Sequence, residues 1–404
     1  MSEPVRYFPR VAGEAAASRS RTVPPGPIAL YVHIPFCDRR CHFCDFAVVA
    51  GRRRGDSLVD AYVAALKREM AHFRDQLREA RVETLQIGGG TPTFLSARAL
   101  DDLLSFVLDE FGCGAVREIV VEGYPSSITA EKLEVLQRFP ALRLNVGVQT
   151  FRDDLLDGVG RGHSGADARE ALAAAGASGI RDVGADIILG LPGSDVATVV
   201  ADLEALSEAG VDHIALYPLW VYEGTALDRL VRRGRVAAAP APQHREQLAA
   251  GMEVLRACGY ERYSAFHYAR GAAGGHLYGQ WQMLANDWIG FGMSAMSSIG
   301  GTLWFNDRSV NAYLAAMAAG RWDGERARPL SDAGHMRFAF MYGLRLREFP
   351  AATFARRFGR QAGEVFAGPI RSMARRGWVE ESGESIALTL DGILALGEIE
   401  EEVR

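Results

Sequence analysis

The stretch IALYVHIPFCDRRCHFC, residues 28–44, decides the fold: an apolar strand, Ile28–Ile34, runs directly into three cysteines, Cys37, Cys41 and Cys44. Their C-x₃-C-x₂-C spacing lets three thiolates reach three irons of a [4Fe–4S] cluster, since thiolates are the usual protein ligands of such clusters. The fourth iron is left without a protein ligand, so a small molecule can bind there and accept an electron. S-adenosylmethionine (SAM) has an amino and a carboxylate group suited to that position, and radical chemistry from SAM with iron–sulfur is a known cofactor pairing. The alternative is a structural zinc knot, in which His42 or His33 completes the four ligands that zinc normally takes.

Outward from this stretch, apolar runs alternate with amphipathic segments. The runs are 28–34, 82–87, 117–122, 142–148, 181–189 and 212–217, and helical patterns between them include Ser57–Phe73, Ala97–Glu110, Ala130–Gln137, Gly165–Ala175 and Val196–Glu208. Strands alternating with helices imply βαβ units and a parallel sheet. The expected fold is therefore α/β, a partial (β/α)6 TIM-like barrel open on one side, with a small, mainly helical C-terminal domain. Four divisions follow: a loose arm over 1–27, the barrel over 28–240, a barrel-closing substrate region over 241–310, and a helical, winged-helix-like part over 311–404. The last begins after a helix expected over His244–Cys258 and a Gly-, Tyr-, His- and Trp-rich region.

Parallel barrels place their active sites at the C-terminal ends of the strands. The chemistry-bearing residues fall there: the cysteines after the first run, Gly88-Gly89-Gly90-Thr91-Pro92 after the second, Glu122 after the third and Gln149 after the fourth. The glycines let backbone approach a ligand closely, here the amino end of SAM; a tight turn is the plainer reading. Glu122 reads equally as an acceptor for a ligand or as a partner of Arg143 or Lys132. Arg161 can grip a carboxylate in two-point fashion, or it caps a helix at the surface. Asp186 lies inside an apolar strand, and buried acids are rare unless paired, so it contacts a ligand or pairs with Arg161. His33 and His163 read as structural. The segments YERYSAFHYARG (260–271) and HLYGQW (276–281), rich in Tyr and His, either pack against the open barrel side or cover a flat, unsaturated substrate or a haem. No residue stands out as a catalytic acid, base or nucleophile.

Composition narrows the class. The chain has 404 residues, 48% hydrophobic, and a formal charge of −5, ample for a large core and without the positive field of a nucleic-acid binder. The N-terminus lacks the apolar segment of a secretory signal, and no run of about 18 apolar residues spans a membrane. Five cysteines, three of them clustered, with Cys113 and Cys258 isolated, fit reduced thiols rather than a disulfide framework. A cytoplasmic location is expected.

Together the segments YVHIPFCDRRCHFCDF, IGGGTPTFLS, VEGYPSS, RLNVGVQTF, GRGH, GADIILGLPG, HIALYPL and GFGMSA resemble the radical SAM superfamily, specifically its oxygen-independent coproporphyrinogen III oxidase-like family. The similarity runs from about Ile28 to Ala295 and extends weakly into LTLDGILALGEIEEE. The resemblance implies one [4Fe–4S] cluster on Cys37, Cys41 and Cys44, SAM on that cluster, and a second SAM beside it. It implies that Tyr31, Gly89 and Glu122 contact the first SAM. Phe43, Gly90, Thr91, Gln149, Arg161 and Asp186 would line the second. It also implies an electron donor such as flavodoxin or ferredoxin, a small aromatic or unsaturated substrate, and a monomer.

Three subclasses compete. Coproporphyrinogen dehydrogenases of the family carry another cysteine two residues after the third; Phe46 stands there. Its haem chaperones carry His-Asn-x-x-Tyr-Trp; this chain has His276-Leu277-Tyr278-Gly279-Gln280-Trp281. The third subclass consumes two SAM molecules as a methyltransferase or cyclopropanase acting on an sp² carbon of a complex natural product. That is the function expected from the sequence.

Overall fold

The computed structural model describes residues 21–52, 55–112, 116–271, 275–383 and 385–403. Most of the expected N-terminal arm, and Cys113, lie outside the described residues. Six strands run parallel in chain order: β1 (Gly26–Ile34), β2 (Ala80–Gly89), β3 (Glu118–Gly123), β4 (Leu142–Gln149), β5 (Asp182–Leu189) and β6 (His213–Pro218). Each overlaps one of the six apolar runs read from the sequence. Helices α1 (Ser57–His72), α2 (Ala97–Phe111), α3 (Ala130–Leu136), α4 (Gly165–Ala177) and α5 (Val196–Glu208) fall between them, and α6 (Ala241–Ala257) follows. Their starts are written in the sequence. Asp56, Ser96 and Asp195 each accept a backbone N–H of the first turn, and Ser164 with Asp167 forms a reciprocal capping box.

The sheet does not stop at the six parallel strands. On one edge β6 is followed by the antiparallel pair β8 (His267–Arg270) and β7 (Tyr260–Arg262). On the other, β9 (Trp288–Phe291) runs parallel to β1 and continues antiparallel through β10 (Met296–Ile299), β11 (Thr302–Phe305) and β12 (Arg326–Pro329). Residues 241–310 thus flank the barrel on both sides. Helix α7 (Leu277–Met283) begins at His276, and the C-terminal residues form helices around a small hairpin, β13 (Val379–Ser382) with β14 (Ser385–Leu388).

Strand alternation sorts side chains to two faces. Leu85, Ile87, Ile119, Val121, Leu144, Val146, Val183, Ala185, Ile187, Ile214 and Leu216 join one apolar cluster beneath the helices. The opposite face reads Tyr31, His33, Thr84, Gln86, Glu118, Glu122, Arg143, Asn145, Asp182, Asp186, His213 and Tyr217. A closed (β/α)₈ barrel fills its interior with bulky apolar side chains. This lumen is polar instead, and Tyr31, Glu122, Asn145, Asp186 and Tyr217 remain partly open to solvent.

Candidate functional site

The lumen is built in levels. At its base Arg143 pairs with Asp182 at 2.5 Å and with Glu118 at 3.4 Å, and Thr84 donates to Glu118 at 3.5 Å. These acids, not Glu122, are the partners of Arg143; Lys132 donates to the Thr93 and Ser127 carbonyls. Glu122 itself accepts from the Gly89 N–H and the Gln86 amide, so the ion-pair reading of Glu122 gives way to hydrogen bonds from neutral donors.

At the middle level the strand register places Glu122 beside Asn145, Asn145 beside Gly184, and Gly184 beside His213. Asn145 donates to Asp186 at 2.8 Å. Arg161 gives Asp186 no ion pair; it donates to the Gly147 carbonyl and, at 3.4 Å, to the Cys41 sulfur. Its guanidinium lies 4.2 Å from the centre of the Tyr124 ring. A buried arginine committed to a backbone carbonyl, a ring and a thiol is not a surface cap. Burial pushes the Asp186 carboxyl up to about 6, against the Asn145 hydrogen bond and the Arg161 charge. Glu122 is pushed up to about 7 by desolvation first and by the Asp186 charge second.

Three rings close the lumen on the β6–β8 side. His213 and His267 lie with centroids 5.6 Å apart, and His276 lies 6.1 Å from the first and 6.3 Å from the second. Tyr217 bonds His267 at 2.8 Å and Tyr263 bonds His213 at 2.5 Å. Tyr31 stacks with Tyr278 at 6.2 Å. Desolvation lowers His267 and His276 to about 3, so both imidazoles are neutral throughout the physiological range. Tyr263 and His267 belong to the Tyr- and His-rich region noted in the sequence, whereas Gln86, Asn145 and His213 were not singled out there. The available signal was polar residues at every second position of apolar strands, as in VETLQI, LRLNVGV and DHIALY.

The top level carries the glycines and cysteines. Gly89 donates its N–H to Glu122 at 3.1 Å, and Gln86 donates to the other oxygen of Glu122 at 2.5 Å. Cβ atoms on Gly88, Gly89 and Gly90 would collide with Glu122, the His33 ring and the Pro35 backbone respectively, so this segment is glycine because neighbours fill the side-chain space. His33, buried beneath it, is held by Tyr31 and the Ala47 carbonyl, and His163 by the Val148 carbonyl; both serve the fold. Thr91 donates to Cys37 at 3.5 Å. Gln149 is buried with φ +72°, at a bulge where β4 slips against β5. Positive φ in a non-glycine residue is uncommon and concentrates at functional sites. Phe43 packs in a satellite cluster with Leu155, Val159 and Leu219, while Phe46 is 57% exposed.

Among the described residues no three His, Cys, Asp or Glu side chains converge tightly enough to hold one metal ion, which removes support from the zinc knot. Cys37, Cys41 and Cys44 are partly exposed and free of disulfides. Desolvation raises the Cys37 and Cys44 thiols to about 11 and about 12; iron coordination offsets such a rise by stabilising the thiolate.

A six-stranded parallel half-barrel with three cysteines after its first strand defines a radical SAM protein, and residues 31–206 match the radical SAM superfamily model. Residues 330–395 match the HemN C-terminal domain. Among its relatives, the heme chaperone HemW of Bacillus subtilis is 29% identical over 91% of this chain and 97% of its own length. The Mycobacterium tuberculosis heme chaperone HemW is 33% identical over 73% and 76%, and an Escherichia coli O157:H7 anaerobilin synthase is 28% identical over 75% and 68%. The Escherichia coli coproporphyrinogen III oxidase HemN shares the fold, with TM-score 0.78 and 23% identity over 93% of this chain and 90% of that one. The chain belongs to the oxygen-independent coproporphyrinogen III oxidase-like family, which includes HemN and HemW, within the radical SAM superfamily. Membership implies a [4Fe–4S] cluster and SAM. No helix among the described residues is long and apolar enough to cross a membrane.

Proposed function

We propose that this chain is a haem-handling radical SAM protein of the heme-chaperone type, with Cys37, Cys41 and Cys44 holding the cluster and Glu122, Gly89 and Tyr31 holding SAM. Held there, the cluster would supply the single electron that reductive cleavage of SAM requires, and the residues named would bind and orient the two groups. The observation that carries the haem reading is His276, the first residue of the altered chaperone signature: a neutral imidazole in the lumen, ringed by His213, His267 and Tyr278. An unprotonated ring nitrogen is what haem iron takes as an axial ligand. The names of the HemW relatives support the same reading over the methyltransferase or cyclopropanase expected from sequence.

Two-SAM methylene transfer is the second reading, favoured by two observations. The signature lacks its Asn and Tyr, and the Nε2 of His276 is engaged by Gln86. In this reading Gln149, Arg161, Asp186, Thr91, Gly90 and Phe43 face a second SAM. An anaerobic haem titration of the reconstituted protein separates the two. A Soret shift that His276→Ala removes supports haem handling. No shift, together with equal yields of 5′-deoxyadenosine and S-adenosylhomocysteine on an unsaturated acceptor, supports methylene transfer.

A further inference from the structure

Glu122 is proposed above as a SAM contact, and its two oxygens are already spoken for: one accepts the Gly89 N–H at 3.1 Å, the other the Gln86 amide N–H at 2.5 Å. Gln86 turns the NH₂ end of its amide to Glu122, the arrangement that the ionised carboxylate, which only accepts, requires. The carbonyl end of Gln86 then faces the opposite way, and it lies 2.8 Å from His276 Nε2. A carbonyl oxygen only accepts, so His276 must carry its proton on Nε2. The tautomer of the lumen histidine is thereby fixed from the SAM side through one glutamine.

The chain of contacts is directional and has no slack. His276 is tied from behind as well, its backbone N–H donating to Tyr263 at 2.9 Å, and Tyr263 in turn bonds His213. Gln86 is buried and stands beside Tyr31 in the strand register. A lumen ligand that takes the Nε2 of His276 must break its bond to Gln86, and Gln86 is what orients one oxygen of Glu122.

We propose that Gln86 is a positioning residue that couples His276 to Glu122, so that the donor state of His276 sets SAM affinity and, by reciprocity, SAM biases how His276 meets a lumen ligand. The inference rests on Glu122 contacting SAM. It needs no particular lumen ligand.

The test is a double-mutant cycle on anaerobically reconstituted protein, reading SAM affinity by equilibrium dialysis, with iron content and melting temperature checked for each variant. His276→Phe, which keeps the bulk but loses the donor, should weaken SAM by about three- to tenfold, the range of one neutral hydrogen bond. The same change made in Gln86→Met should alter SAM affinity less than twofold. His276→Gln, whose amide N–H replaces the Nε2 donor, should bind SAM within twofold of the unmodified protein. A space-filling role for His276 gives the reverse order, with Phe tolerated and Gln not, and overturns the proposal. So does an equal effect of His276→Phe with and without Gln86. Should Gln86→Met fail to fold, the Phe-versus-Gln comparison at His276 decides alone. Failure of the underlying site is distinct: Glu122→Gln would then leave SAM affinity unchanged.

Discussion

Gly89 and His33 stand on adjacent strands so closely that a Cβ on Gly89 would lie 2.4 Å from the His33 ring, and Gly89 adopts φ +106°. Both space and backbone therefore demand glycine, because an L side chain pays at that φ in addition to the clash. Gly89→Ala should cost about 1–3 kcal/mol, as overpacking does in a close-packed interior. Its thermal unfolding midpoint should fall while Gly112→Ala, at the open C-cap of α2 where a Cβ meets nothing, falls less. SAM affinity should drop with the first variant and hold with the second. Equal midpoints would show that His33 yields freely.

The pH dependence of SAM binding follows from Glu122. Its folded value of about 7 lies above the ordinary carboxyl value, raised by desolvation and by Asp186. An acid raised on folding favours the folded protein most below its unfolded value, and that contribution is lost as pH climbs through 7. Glu122→Gln should thus be the more stable form at pH 8, with the difference vanishing near pH 4. SAM binding should run the other way in the native protein, strengthening as pH rises through about 7 because the ionised form is the better acceptor. Isothermal titration from pH 6 to 8 measures the slope. Glu122→Gln should bind SAM about tenfold or more weakly at pH 8, the worth of a charge-assisted hydrogen bond, with the slope gone.

Arg161 makes a prediction about the cluster itself. It donates to Cys41 at 3.4 Å, and hydrogen bonds to cluster sulfurs, like nearby positive charge, make a cluster easier to reduce. Arg161→Leu should move the midpoint potential of the reconstituted cluster to more negative values with iron content unchanged. An EPR-monitored redox titration reads the potential, and chemical iron analysis the content. An unchanged potential would mean that Arg161 serves only Gly147 and Tyr124.

Much of this was legible in the sequence, for a physical reason. The six apolar runs alternate with helical patterns, and their bounds shift by no more than two residues because the strands end where glycine and proline interrupt the ladder, as at Gly89 and Pro218. Cysteine spacing is local, so Cys37, Cys41 and Cys44 were found without any tertiary contact. The lumen was harder. Gln86, Asn145 and His213 matter through partners distant in sequence, 190 residues away for Gln86 and His276, and no local pattern shows which polar residue meets which. Asp186 illustrates the cost: an inward acid needs a partner, but its partner is Asn145, one strand over, rather than Arg161.

The last prediction concerns how the fold holds the top of the barrel. Glu69 is fully buried on α1 and pairs with Arg21 at 3.1 Å, also fully buried. It accepts as well from the Gly292 N–H, the Asn306 amide and the Tyr313 hydroxyl, each at 2.8 Å. These contacts fix the turn after β9, whose Met293 N–H donates to Tyr62, and Tyr62 donates to the His33 carbonyl, directly beneath Gly89. Removing one partner of a buried pair leaves an uncompensated charge and typically costs about 3–5 kcal/mol. Glu69→Ala should therefore lower stability by that order in chemical denaturation, while Glu69→Gln, which keeps one acceptor and the volume, costs less. Because the chain of contacts ends at His33, Glu69→Gln should also weaken SAM binding several-fold in protein that still folds and still carries its iron. Intact SAM affinity in that variant would show that the turn and the SAM loop are held independently.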